Sequence, residues 1–267
     1  MLTWLYVPGD RPDMYSKAAG SGAEIVIVDL EDAVAPANKD AARRAVCEWL
    51  PYAAPNSVEV RVNAVGTPWV ADDLEALGRP PSLTAVRLPK VESADDVRAA
   101  ADLTGAALSC LIESALGVER AFEIATAHPH VVAIGLGEAD LVSDLGTSEL
   151  SWPRSRIVVA SRAAGLIPPA MSVYPHVDDL DGLETSCREG RAMGFRGRAA
   201  IHPRQLPVIR AAFRPSPEEV ADAQALLAAF SQAADIGRGV TVLPDGRMVD
   251  AAMIGRAHRI LGDASRG

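Results

Sequence analysis

The chain has 267 residues, 49% of them hydrophobic and 23% charged, enough for one large core; an α/β barrel takes about 250. With 26 basic against 35 acidic residues and a net charge of −9, it lacks the basic excess that marks a nucleic-acid binder. No apolar run approaches the roughly 18 residues of a membrane span, and Cys47, Cys110 and Cys187 lack metal-type spacing and read as reduced thiols.

In chain order the predicted strands are Leu2–Val7, Ile25–Leu30, Val58–Val62, Thr84–Leu88, Ala107–Ile112, Val131–Gly135, Ala170–Tyr174 and Arg198–Ile201. A strand beginning at residue 2 leaves no room for a signal peptide, so a cytoplasmic location is expected. Ile25 to Val28 is apolar at every position, as in a parallel strand buried on both faces. Helical segments fall between the strands. Lys39–Leu50 has apolar residues at Ala42, Val46 and Trp49, and Ser93-x-x-Asp96 and Asp181-x-x-Glu184 have N-cap spacing. Eight strand–helix units predict an α/β fold, a (β/α)8 TIM barrel over residues 1–215, with a doubly wound open sheet as the alternative.

Residues 216–267 form a small helical C-terminal extension. Ser216 as N-cap, Pro217 at the first position and Glu219 three residues after the cap start a helix over 217–234. A hairpin is predicted over Gly237–Arg247 with Pro244-Asp-Gly246 as its turn, then Met248-Val-Asp250 and a final helix to Leu261. So short a tail needs a surface to pack on, the barrel or a neighbouring subunit.

The predicted strand ends carry the polar chemistry: Asp29, Glu31 and Asp32 after the second, Glu113 after the fifth, Glu138 and Asp140 after the sixth. A closed barrel gathers such ends at one mouth. Glu113 and Asp140, hard oxygen donors on adjacent units, suit Mg2+, with Mn2+ as the alternative; the competing reading makes them caps or salt-bridge partners, and Glu138 competes with Asp140 as ligand. Glu31 and Asp32 read as acid/base groups, as anchors for metal-bound water, or as partners of Lys90 and Arg61. Arg61, inside a strand, needs an anion: a substrate carboxylate, Glu31 or Glu113. Arg11, Lys17, Lys39, Arg43 and Arg44 form a basic cluster, with Arg11 in a turn suited to anions. His202 reads as a cap before a base, and Lys90, among acids, is expected to stay protonated.

Leu5-Tyr-Val-Pro-Gly-Asp-Arg-Pro12, Val28-Asp-Leu-Glu-Asp-Ala-Val34 with Pro36 and Lys39, Val60-Arg-Val-Asn63, Leu88-Pro-Lys-Val-Glu-Ser93, Leu111-Ile-Glu-Ser-Ala115, Gly137-Glu-Ala-Asp-Leu141, Ile201-His-Pro203 and Met248-Val-Asp250 follow in order. Together they resemble the citrate lyase beta-subunit-like proteins, which include malyl-CoA and citramalyl-CoA lyases. The resemblance implies a TIM barrel that binds Mg2+ through Glu113 and Asp140 and makes or breaks a carbon–carbon bond beside a coenzyme A thioester. It implies that Arg61 contacts the oxo-acid or thioester oxygen, with Glu31 and Asp32 nearby. Asp250, lent by a neighbouring subunit, would serve as acid/base in a homo-oligomer, a trimer or hexamer. Arg11, Lys17, Lys39 and Lys90 would face the coenzyme A end. Two departures bear on the substrate: Met171 and His176 stand where relatives carry acids, and the strand-six motif is Gly-Glu-Ala-Asp, its first acid shifted to Glu138. The remaining alternatives are a citrate lyase beta subunit acting on a carrier-bound thioester, an aldolase using free pyruvate, and a non-catalytic scaffold subunit.

Overall fold

The computed structural model describes residues 3–265, and the chain divides into two compact units after Phe213. The first unit holds a curled, parallel, seven-stranded half-barrel sheet. Its strands are β1 (Thr3–Pro8), β2 (Ile25–Asp29), β3 (Val58–Arg61), β4 (Leu83–Leu88), β5 (Leu108–Ile112), β6 (Val131–Leu136) and β7 (Arg198–Ala200), in the order β6-β5-β4-β3-β2-β1-β7. Leu2, expected in the first strand, lies outside the described residues.

The helices are α1 (Tyr15–Ala19), α2 (Lys39–Trp49), α3 (Val70–Leu77), α4 (Ala94–Leu103), α5 (Ala115–Glu119), α6 (Ala121–Ala125), α7 (Glu138–Leu145), α8 (Ser151–Ala163), α9 (Leu180–Met193) and α10 (Leu206–Phe213). Alternation within each strand divides two environments. Val26, Val28, Val58, Val60, Val86, Leu88, Ile134 and Leu136 join the core shared with the helices. Trp4, Ile25, Ile27 and Ala199 form a separate cluster on the opposite face. Ser93 caps α4 in a capping box with Asp96, as its spacing predicts. The cap of α9 is Asp179, not Asp181, because its side chain reaches Gly182 N at 3.0 Å.

The seventh predicted strand is corrected. Ala170–Tyr174 makes only an isolated bridge, Met171 to Arg198. Pro168 and Pro169 precede it and Pro175 follows, and these residues, having no N–H, confine its pairing to the stretch between them. It is tied to both flanking strands nonetheless. Ile167 N donates to Val132 O and Ser172 Oγ to Leu136 O on the β6 side, while Met171 N donates to Gly197 O and Ala199 N to Met171 O next to β7.

The second unit comprises α11 (Pro217–Asp235), an antiparallel pair β8 (Val240–Val242) and β9 (Met248–Asp250), and α12 (Ala251–Ala264). Ser216 and Glu219 form the capping box of α11. The second hairpin strand falls later than predicted because Leu243 N donates to Arg247 O and Gly246 N to Leu243 O, which places the turn at 243–247. Leu226, Leu243, Val249 and Ala257 make this unit's own small core. No helix among the described residues is long and apolar enough to cross a membrane.

The exits of β1 and β2 are locked together. Gly9 N donates to Asp29 O at 2.8 Å, and a Cβ at Gly9 would lie 2.6 Å from that oxygen. Replacing Gly9 with Ala forces the two strand ends apart and is expected to cost about 1–3 kcal/mol; urea unfolding followed by circular dichroism measures it.

Candidate active site at the strand ends

Asp29, the last residue of β2, organises the site. Its Oδ1 accepts from Arg61 Nε at 2.7 Å and Glu31 N at 2.9 Å, and its Oδ2 from Arg61 Nη2 at 2.6 Å and Ala33 N at 3.2 Å. One carboxylate thus clamps a guanidinium and fixes the loop that carries Glu31 and Asp32. Arg61 Nη1 lies 3.0 Å from Glu31 Oε2, and the guanidinium stands over the Tyr6 ring. The strong acids around it raise the Arg61 pKa against the cost of burial, so its charge is permanent. Of the partners the sequence offers for Arg61, Glu31 is present; Asp29 is the stronger one and goes unrecognised in the sequence, where it reads as one of three acids at the strand end.

Lys90 sits at φ +53°, in the left-handed region that non-glycine residues seldom occupy. Its Nζ reaches Glu31 Oε1 at 2.6 Å and Asp32 Oδ1 at 3.1 Å. Burial opposes its charge, but the bonds to Glu31 and Asp32 override this and raise its pKa. The amine is protonated and spends two of its three hydrogens on carboxylates, with the third left over on a half-exposed side chain. Burial raises the Glu31 pKa, with Arg61 and Lys90 opposing.

Lys39 requires the clearer correction. Its Nζ is buried and donates to Leu30 O at 2.9 Å, Glu31 O at 3.0 Å and Asn63 Oδ1 at 2.5 Å. All three ammonium hydrogens are used, so it has none for a phosphate. Asn63 donates to Asp73 Oδ2, and Asp73 Oδ1 accepts from Arg43. Two members of the basic cluster therefore hold loops. Arg11, paired with Asp13 on the surface, and Lys17, exposed on α1, remain accessible.

Glu113 follows β5 directly and is buried. Its Oε2 is enclosed and has no hydrogen-bond partner. Burial, helped by the charges of Glu31 and Asp140, pushes its pKa up to about 7. Gly137 is required beside it, because any Cβ there would strike the Glu113 carboxylate. Asp140 stands exposed in the first turn of α7 and lines the same cavity as Glu113, Asp29 and Arg61. Glu138, the competing ligand, is held in an ion pair. Arg154 grips it from α8 with Nε to Oε1 at 2.8 Å and Nη2 to Oε2 at 2.7 Å, a pairing nothing in the sequence spacing announces.

A hard divalent cation fits this donor set. The unpartnered Glu113 oxygen and the exposed Asp140 carboxylate offer two anionic oxygens, and the nearby cations are already committed. No group of three or more His, Cys, Asp or Glu suited to a metal occurs among the described residues, so water and substrate oxygens would complete the shell, as is usual for Mg2+. His202 Nδ1 accepts from Arg204 N at 3.2 Å and so caps a short turn. Asp250 lies in the second unit, where Oδ1 caps α12 through Ala252 N at 2.9 Å.

An α/β fold with acids and a fixed guanidinium at the parallel strand ends suits metal-assisted chemistry on an anionic substrate. Residues 2–203 match the model of the HpcH/HpaI aldolase/citrate lyase family, and the chain belongs to that family. It is 34% identical to the citrate lyase subunit beta of Leuconostoc mesenteroides subsp. cremoris, over 97% of this chain and 91% of that protein. It is 38% identical to a (3S)-malyl-CoA thioesterase of Cereibacter sphaeroides, over 97% and 93%. Among solved structures it is similar to the protein CitE of Mycobacterium tuberculosis in complex with magnesium, acetoacetate and coenzyme A, with a TM-score of 0.85, 38% identity and coverage of 99% and 98%.

Replacing Lys39 with Met strands three buried acceptors. The expected loss is about 3 kcal/mol or more at roughly 1–3 kcal/mol per unsatisfied group, read by urea unfolding. Lys39→Arg is expected to fail as a rescue, because a planar fork cannot converge on three acceptors.

Proposed function

We propose that this protein is a Mg2+-dependent carbon–carbon lyase acting on a short 3-hydroxyacyl-CoA of the malyl-CoA or citramalyl-CoA kind, giving acetyl-CoA and a 2-oxo acid. The observation that carries the reading is the buried Glu113 carboxylate oxygen, without a partner, in the cavity it shares with Asp140 and Arg61. The similarity to a structure holding magnesium, acetoacetate and coenzyme A supports it. We further read the seven strands as a (β/α)8 barrel whose remaining position is taken by the segment 167–172.

In the reaction a base takes the hydroxyl proton, the oxygen's electron pair forms the carbonyl of the 2-oxo acid, the bond between the carbinol carbon and the thioester α-carbon breaks, and its electron pair forms an enolate that then takes up a proton. A divalent ion held by Glu113 and Asp140 supplies a hard positive charge that orients the substrate oxygens and lowers the hydroxyl pKa. Arg61, immobilised by Asp29 and Glu31, presents a fixed charge to the oxygen on which negative charge grows. Glu31 and Asp32 hold Arg61 and Lys90 in place. Asp250 is the proposed acid that protonates the enolate carbon; we assign it to the site of a neighbouring subunit, with the chain from 216 onward as the lending element of a trimer or hexamer. Arg11 and Lys17 receive the coenzyme A phosphates.

A second reading, thioester hydrolysis, is favoured by the similarity to a malyl-CoA thioesterase. Products separate the two: cleavage of malyl-CoA gives glyoxylate and acetyl-CoA, hydrolysis gives malate and free coenzyme A. Acceptance of free coenzyme A esters by the chain alone argues against a subunit needing an acyl carrier protein, and failure to bind coenzyme A would favour an aldolase using free pyruvate.

Glu113→Gln is expected to lower Mg2+-dependent turnover by at least about 100-fold with an unchanged circular-dichroism spectrum; wild-type turnover would reject the metal assignment. Asp250→Asn is expected to slow deuterium exchange into the acetyl-CoA methyl group by about 100-fold or more. Exchange at the wild-type rate would move the acid role elsewhere.

A further inference from the structure

The cavity that holds the Glu113 and Asp140 side chains does not end at them. It has a volume of about 710 Å³ and continues down the inner face of the sheet to residues at the starts of β4, β5 and β6: Thr84, Ser109 and Val132. From Glu113 back to Ser109 is four residues, about 13 Å along a strand. Barrel interiors are ordinarily filled by large branched side chains. Here β6 lines the cavity with Ala133 and Gly135, as does Gly137 just beyond its end; Val132, Ile134 and Leu136 border it too, the last two also joining the helix-side core.

The two glycines differ in cause. Gly137 is demanded by Glu113, whose carboxylate fills the space of a side chain. Gly135 is under no such pressure, since a Cβ there would only touch Leu111 Cδ2 at 3.4 Å, an ordinary contact. Its smallness leaves room that no neighbour fills. Ala85 on β4 and Ala170 continue the small lining.

The charge within the bore is balanced. Glu59 and Arg87 face it, and Arg87 donates to Glu59 Oε2 through Nε at 2.8 Å and Nη2 at 2.6 Å. Trp4 Nε1 donates to Glu59 Oε1 at 3.0 Å. Both carboxylate oxygens are served and the guanidinium is neutralised. A second carboxylate on the ligand would find no free cation here, whereas an alkyl group would meet Leu111, Ala133 and Gly135.

We infer that the bore below Glu113 is a subsite for an apolar substituent on the hydroxyl-bearing carbon, so that the 2-oxo acid produced carries a medium-length alkyl chain. This rests on the lyase reading above and adds the direction and chemistry of the substrate's variable end. The oxo-acid head lies at the carboxylate pair, the coenzyme A arm enters from the mouth, and the chain runs down the bore.

The test is calorimetric titration of the full-length protein, with Mg2+ present, by pyruvate, 2-oxobutyrate, 2-oxohexanoate and 2-oxooctanoate. The dissociation constant is expected to fall about threefold to fourfold per added methylene, while dicarboxylic 2-oxoadipate binds no tighter than 2-oxobutyrate. Ala133→Leu, which fills the bore, is expected to abolish the chain-length gain, and the smaller change Gly135→Ala to reduce it; unfolding curves verify that each variant is folded. A flat series in the wild-type protein with pyruvate still binding, tighter binding of 2-oxoadipate, or an unchanged gain in the folded variants overturns the subsite alone. Failure of every oxo acid, pyruvate included, to bind overturns the metal-site reading and the subsite with it.

Discussion

The Asp29 carboxylate accepts four hydrogen bonds, two from one guanidinium and two from the backbone of the loop it precedes. A buried ion pair is costly to desolvate and holds only when its geometry is good and its remaining lone pairs are filled. Asp29 meets both conditions, which is why Arg61 can stand at the mouth of an apolar sheet. The same contacts give Glu31 its place, and Lys39 pulls on the carbonyls of Leu30 and Glu31 from the core side. Loss of either end of the pair would leave an uncompensated charge and free the loop together.

This arrangement decides which acid is left without a partner. Arg61 is occupied by Asp29 and Glu31, Lys90 by Glu31 and Asp32, and Arg154 by Glu138. Glu113 stands among these pairs, and its burial makes the ionised form expensive. A carboxylate in that position gains from a cation brought in from outside. A site that answered Glu113 with an arginine of its own would be more stable and would have nothing to offer a metal.

The residues that show in the sequence are those whose signal is local. The apolar run of β2, the capping box at Ser93 and the helix start at Ser216 each follow from neighbours within four positions, and the structure places them as expected. The short strand ends bearing Glu113 and Asp140 are legible for the same reason. What goes unread depends on partners far apart in the chain. Lys39 looks like a phosphate ligand until Asn63 closes on it, and Arg154 looks like an ordinary helix residue until it meets Glu138. The segment 170–174 has the composition of a strand, but between its flanking prolines it makes only a bridge.

The shifted acid in Gly137-Glu-Ala-Asp140 also has a geometric consequence. Residues two apart on a helix point about 200° apart, and although Glu138 and Asp140 both line the cavity, only Glu138 meets Arg154. Glu138 turns to Arg154, and its backbone N–H donates to Ser172 Oγ, which in turn donates to Leu136 O. The acid thereby fastens α8 and the bridging segment to the end of β6, leaving Asp140 as the only carboxylate of that turn directed at the cavity without an ion pair among the described residues. Met171 packs against Gly190 of α9, where its side chain occupies the space a Cβ would need.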